Sequence, residues 1–471
     1  TEMKKLLLTF NLFLLSSLLF AQADLGLPSA TGKGGVANGV AKDWECIGVN
    51  PANLGWESNH KFSISAVIIG ISIQSSALNY SQLMNAYLHK SDGFSASEQR
   101  NFANTFTDKD GLKLQGNSDW FTFSLTFPKI GGFAMNVRDR LFATVHLNQN
   151  AADILFLGSN APIFQTPSGY TQNMSTILNG TNVSYMHYRE VNFDYGVKVL
   201  GIGGTKDSSA ISIYAGIGFK YLWGLGNMNL SAENGQLTGN AAFSNSYGID
   251  YGTIPSFTAQ SATGIFPSVG TGSALDLGFG IGIGTKMKIT FSATDIGQIT
   301  WNKNTLTTQD ALLPDTSKLN FHGINSFNIP KQASALLSDS GIVKVKQGTS
   351  YTTVLPSLYR MGIGYQFTKR FLMGADIVMP LNNHPENLQN AYYAVGAQVE
   401  LAKNLILSFG LAGNSDYGLS IPLGVTLKHV FKIMEVGLAT NNILPYITHE
   451  NSPNISFARS FLRFDLDRKK K

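Results

Sequence analysis

The sequence predicts an all-β protein: a transmembrane, antiparallel, up-and-down β-barrel of about fourteen strands, with an N-terminal hatch in the lumen. Three observations carry this. Only 14% of the residues are charged, while Gly numbers 48 and Phe and Tyr number 30 and 17, a charge-poor and aromatic-rich balance unlike that of ordinary soluble domains. Beyond residue 23 no apolar run is long enough for a membrane helix. Segments of about ten residues instead place apolar side chains at alternate positions, which is the strand period.

The elements follow in chain order. Lys4 and Lys5, the apolar stretch Leu6–Phe20 and then Ala21-Gln22-Ala23 read as an export signal, residues 1–23. Residues 24–59 do not alternate. They are rich in Gly and Ala and include Asn50-Pro51-Ala52-Asn53-Leu54, and two readings stand: a segment that folds back to plug the lumen, or a flexible periplasmic tail. Strands are predicted at 60–72, 119–127, 132–147, 185–200, 210–225, 273–285, 286–295, 351–365, 369–380, 392–401, 404–413, 416–427, 431–440 and 456–466. In Trp120–Phe127, for example, Phe121, Phe123, Leu125 and Phe127 alternate with Thr122, Ser124 and Thr126. The barrel therefore spans 60–466, and a basic tail, 467–471, follows it.

Connections support the same plan. The long segments 73–118, 148–184, 226–272 and 296–350 alternate with the short 128–131, 201–209 and 366–368. Long loops belong outside the cell and short turns in the periplasm. Ser95–Phe106 is predicted helical, with Ser95 as N-cap and Glu98 three residues later. The Gly-, Ser-, Thr- and Asn-rich loops 226–272 and 296–350 are expected to carry little fixed structure. Gly70, Pro422 and Gly424 are read as strand interruptions where a bulge or side opening could form.

Several functions are disfavoured. The net charge of +5 is scattered apart from Arg468–Lys471, so no nucleic-acid surface is expected. Cys46 is the single cysteine, and the eight histidines show no ligand spacing, so no metal or cofactor is predicted. No nucleophile is spaced with a base, and Gly278–Gly284 alternates as a strand does rather than opening a helix. No catalytic residue is assigned and the chain is read as a non-enzyme.

The Gly/Ala-rich stretch followed by an acidic residue and Asn50-Pro51-Ala52-x-Leu54 resembles the N-terminal hatch of FadL-type outer-membrane barrels. Gly218–Gly224, Ala274–Gly278, Asp295–Trp301, Leu355-Pro356 and Arg360-Met361-Gly362 resemble an uncharacterised FadL-like family of Bacteroidota. That resemblance implies a fourteen-stranded barrel with an N-terminal plug. It also implies uptake of long-chain fatty acids or other hydrophobic compounds, with outer-membrane lipid around the barrel. The related PorV-like barrels imply the alternative, an anchor or docking subunit for secreted or surface proteins in type IX secretion.

Asn50, Pro51, Ala52 and Leu54 are the candidate hatch residues. Arg138, Arg140, Lys198, Lys220, Asp276 and Arg360, with Asp376, fall on predicted inward faces. An Arg fork suits a carboxylate head group. An ion-paired network filling a polar lumen is the plainer reading, and the favoured one.

Overall fold

The computed structural model describes residues 27–56, 60–75, 94–105, 111–165, 171–204, 210–254, 256–261, 266–312, 321–324, 343–415, 418–430, 434–448 and 454–467. The predicted export signal, 1–23, the basic tail beyond Asp467 and parts of the long loops lie outside these residues.

Fourteen strands form a continuous antiparallel ladder. In order they are β1 (His60–Ser75), β2 (Leu112–Phe127), β3 (Gly131–His146), β4 (Thr181–Ile202), β5 (Ile211–Glu233), β7 (Gly270–Ile283) and β8 (Met287–Trp301). The other seven are β12 (Leu358–Thr368), β13 (Phe371–Pro380), β14 (Tyr392–Ala402), β15 (Leu405–Gly413), β16 (Leu423–Val430), β17 (Met434–Thr440) and β18 (Asn454–Asp467). Each pairs with the next, and β1 pairs with β18 as well as with β2, so the ladder returns to its start. A ladder that returns to itself leaves no unpaired edge, the arrangement a bilayer demands of strands.

Three short strands, β6 (Gln236–Phe243), β9 (Thr305–Gln309) and β10 (Lys344–Gln347), were not foreseen, and the predicted strand 351–365 is divided into β11 (Tyr351–Val354) and β12. β6 pairs with the far half of β5, and β9 joins β6 to β10. β11 continues the line of β12 along β8. The loops 226–272 and 296–350 are thus partly a sheet extension above the long-loop rim. Their short strands are held by pairing, β6 to β5 and β9 to β6, not by their own alternation. The helix at Ala96–Thr105 has the expected cap: Ser95 N donates to Glu98 Oε2 (2.8 Å), and Glu98 N to Ser95 Oγ (3.3 Å). A second helix, Gln149–Leu157, stacks Phe156 on Phe102.

The two faces of the ring differ. Phe133, Phe193, Ile217, Leu277, Val395 and Leu411 point outward and are exposed, forming an apolar belt. The opposite positions are buried and carry glycine and polar groups, with apolar side chains such as Met186, Leu222 and Trp301 towards the long loops. An apolar exterior round a paired ring is that of an outer-membrane, multi-pass β-barrel.

The alternation is broken at several places, two of which bear on the interior. Opposite Asp276 of β7 stand both Thr294 and Asp295 of β8, and Asp295 has φ +60°. Two consecutive side chains are thereby buried, and beyond them the inward parity changes from Thr290 and Ser292 to Ile299 and Trp301. At Val67, with φ +56°, burial on β1 moves from Ser63 and Ser65 to Ile68 and Ser72 while the pairing with β2 and β18 keeps its register. The sequence reading placed the interruptions elsewhere. Gly70 lies in unbroken register with Asn117, Gly424 pairs with Ser408 and Ala439, and Pro422 precedes its strand.

Candidate functional site

Along β4 the inward side chains read off the layers of the interior. From the short-turn end they are Gly196, then Asp194, Asn192 and Glu190, then Tyr188 and Met186, and finally Ser184.

At the level of Gly196 lies the N-terminal segment, residues 27–56, nearly all of it buried. It joins no strand ladder. Inward-facing glycines form its seat: a methyl group at Gly196, Gly216, Gly278, Gly364 or Gly396 would overlap Pro51, Ala52, Asn50, Gly39 or Lys33 respectively. Only the absence of a side chain lets the backbone approach so closely. Polar anchors then fix it. Asp376 Oδ2 on β13 accepts from Ala37 N (2.8 Å) and Asn38 N (2.7 Å). Asn50 Nδ2 donates to Asn38 Oδ1 (2.9 Å) and to Phe291 O (3.1 Å), while Asn50 Oδ1 accepts from Ala52 N (3.0 Å). Ser292 Oγ donates to Val49 O (2.6 Å). Leu54 packs with Cys46, Ile47 and Ala134.

Above the segment is a layer of buried charge. Arg138 Nε meets Glu190 Oε1 at 2.6 Å, and Arg140 meets Asp295 Oδ2 at 2.8 Å. Lys220 Nζ lies 2.9 Å from Asp276 and 2.5 Å from Asp295. The bulge makes this possible, because Asp295 N donates to Asp276 Oδ1 (2.8 Å) and its carboxylate swings inward. Arg140 also faces the rings of Phe142 (5.0 Å) and Tyr188 (6.0 Å), where the charged layer gives way to an apolar one. That upper layer is a buried cluster including Phe142, Met186, Tyr188, Leu222, Ile299 and Trp301.

The structure thus brings Arg138, Arg140, Lys220 and Asp276 into one buried layer. It places Arg360 one inward position from Gly362, the register partner of Asp376. Lys198 shares the inward parity but is exposed, close to the short-turn end of β4. Asn50, Pro51, Ala52 and Leu54 all lie in the seated segment. Glu190 was missed, although it shares parity with Asn192 and Asp194. An outward pair was missed too. Arg189 grips Asp139 through Nε and NH2 (2.6 and 2.8 Å) and lies 4.7 Å from the Trp120 ring and 4.8 Å from that of Phe266. Its signal was the odd numbering of both residues within strands whose even positions face inward.

No curated protein matches the chain. Among solved structures it is similar to the Ralstonia pickettii toluene transporter TbuX, with 11% identity and TM-score 0.45, over 94% of this chain and 98% of that one. It is similar to the Pseudomonas putida toluene transporter TodX, with 10% identity and TM-score 0.44, over 95% and 98%. A Pseudomonas aeruginosa FadL homologue is similar at 10% identity and TM-score 0.43, over 95% and 100%. Residues 51–434 match the family described as "Family of unknown function (DUF5723)", and the chain belongs to that family.

Proposed function

We propose that the protein passes hydrophobic small molecules, such as long-chain fatty acids, across the outer membrane, with residues 24–59 as its hatch. The observation that carries this is the seated segment 27–56. It fills the interior on a bed of glycines yet contributes to no strand pair, so it can move without breaking the barrel. The inward apolar cluster of Phe142, Met186, Leu222 and Trp301 supports an apolar cargo, since the lumen of a water-filled pore is polar.

A test is to purify the protein in mild detergent and identify what accompanies it by mass spectrometry. A stoichiometric apolar small molecule, lost on deletion of the hatch, is expected. A stoichiometric partner protein with no such molecule would overturn transport. That outcome would favour a second reading, an anchor or docking subunit for secreted or surface proteins. Support for it comes from the folded layer above the long-loop rim, where the helices Ala96–Thr105 and Gln149–Leu157 share an apolar cluster with Phe164, Met174 and Phe321.

A further inference from the structure

Between β13 and β14 the chain runs through 381–391, and this loop turns into the mouth of the barrel. Its base is tied to the connector before β12. Asn387 Nδ2 donates to Ser357 O (2.9 Å) and to Asn382 Oδ1 (2.9 Å), and Asn382 Nδ2 donates to Leu355 O (2.7 Å). Leu388 is buried in the cluster that contains Val36 and Val40 of the N-terminal segment. The tip reaches other strands: Ser184 Oγ on β4 donates to Glu386 Oε1 (2.8 Å), and Thr144 Oγ1 on β3 donates to Pro385 O (3.4 Å). Round the ring, β13 and β14 are ninth and tenth, whereas β3 and β4 are third and fourth of fourteen. The loop therefore links one side of the ring to strands on the other. A cavity of about 50 Å³ lies beside it, lined by Gln115, Arg140, Phe142, Leu358, Glu386 and Leu388 among others.

We propose that residues 381–391 are a strap laid across the lumen, latched to β4 through Glu386, and that lifting it opens the interior from the long-loop side. A loop tied at its base and held at its tip by two side-chain hydrogen bonds has one firm end and one releasable end. The anchored base is the hinge. The tip contacts, Ser184 to Glu386 and Thr144 to Pro385, are made to strands that do not depend on the loop for their own pairing.

The test uses the full chain with a reporter, Gln115→Cys, in the cavity, labelled by a charged, water-soluble maleimide. The buried native Cys46 is measured as background on the parent chain. Labelling is expected to be slow, and to rise about tenfold with Glu386→Ala, the population change of roughly one buried hydrogen bond. Glu386→Gln, whose amide oxygen still accepts from Ser184 and which carries no charge to bury, is expected to label no faster than the parent. Equal rates with Glu386→Ala and without it, or a parent rate matching an exposed Asn390→Cys control, would overturn the strap. A second variant, Ser184→Cys with Glu386→Cys, is expected to be bridged by a short bifunctional methanethiosulfonate, since a cysteine is two bonds shorter than the Glu386 side chain that makes the contact. Failure to cross-link in a barrel that still migrates as folded would refute the crossing itself. Both readouts concern access alone, so they stand or fall separately from the identity of the cargo.

Discussion

Single residues set how firmly the interior is held. Asp376 accepts two backbone N–H groups of the seated segment, each bond to a carboxylate being worth roughly 1.5–3 kcal/mol. Asp376→Ala is expected to cut amide-exchange protection at Ala37 and Asn38 by about tenfold or more, with the strand ladder unchanged. Lys220 stands between Asp276 and Asp295, so Lys220→Met would leave two buried carboxylates without their shared cation. A loss of roughly 3–5 kcal/mol is expected in a denaturant titration in detergent. At the strap, burial pushes the Glu386 carboxyl up to about 8 despite the hydrogen bond from Ser184, and burial pulls His384 down to about 4. His384 Nδ1 accepts from Glu386 N (3.4 Å), which fits a neutral ring. Lys113 of β2 and Arg140 of β3 line the same cavity, and Tyr185 lies next to Ser184. A released Glu386 titrates near 4.5, so between about 4.5 and 8 the seated form holds a proton that the released form has lost. Seating therefore weakens as pH rises through that window. His384 acts in the opposite sense below its ordinary 6.5, where a released ring gains charge. Above pH 6.5 only the carboxyl acts, so labelling of Gln115→Cys relative to Asn390→Cys should rise towards pH 8 and stay flat in Glu386→Gln.

At the scale of elements, the seat is a property of strands whose inward positions lack side chains. Gly216 of β5 faces Pro51 and Ala52, and Gly216→Leu is expected to displace the segment while β5 keeps its neighbours. Trypsin would then cut at Lys33 and Lys42 in the variant but not in the parent, and unchanged gel migration without heating would show the barrel intact. The fourteen ring strands were legible because side-chain alternation is local: Phe121 to Phe127 or Val191 to Val199 shows it without knowledge of any neighbour. Alternation says nothing about depth, which is why Lys198 keeps the parity of Lys220 and yet lies exposed. Nor does it survive a bulge. The seventh predicted strand, 286–295, ends at Asp295, whereas β8 runs on to Trp301 with its faces exchanged. β6 and β9 carry little alternation of their own, so only their partners define them. Arg138, Arg140, Lys220 and Asp276 could be placed inward from parity, but the pairing of Arg140 with Asp295, across 155 positions, is set by the bulge alone.

For the whole molecule, the belt and the paired ring act together. Ile217 is half exposed on the outward face between Tyr195 and Leu277, so Ile217→Arg would put a guanidinium against lipid. A loss of roughly 2–4 kcal/mol is expected in unfolding titrations from bilayers, least if the residue lies close to an interface. Inward substitutions such as Ser292→Ala should spare the ring and loosen only the segment it contacts, through Val49 O. The ring also has a seam, where β1 meets β18, so the first strand waits for the last before the hoop can shut. The seated segment directly precedes β1, and β1 starts at the short-turn end. It is therefore tethered at the end of the ring where it is seated. On the proposed reading of this segment as a hatch, it is a cork on a string, to be drawn out without a single stave being parted.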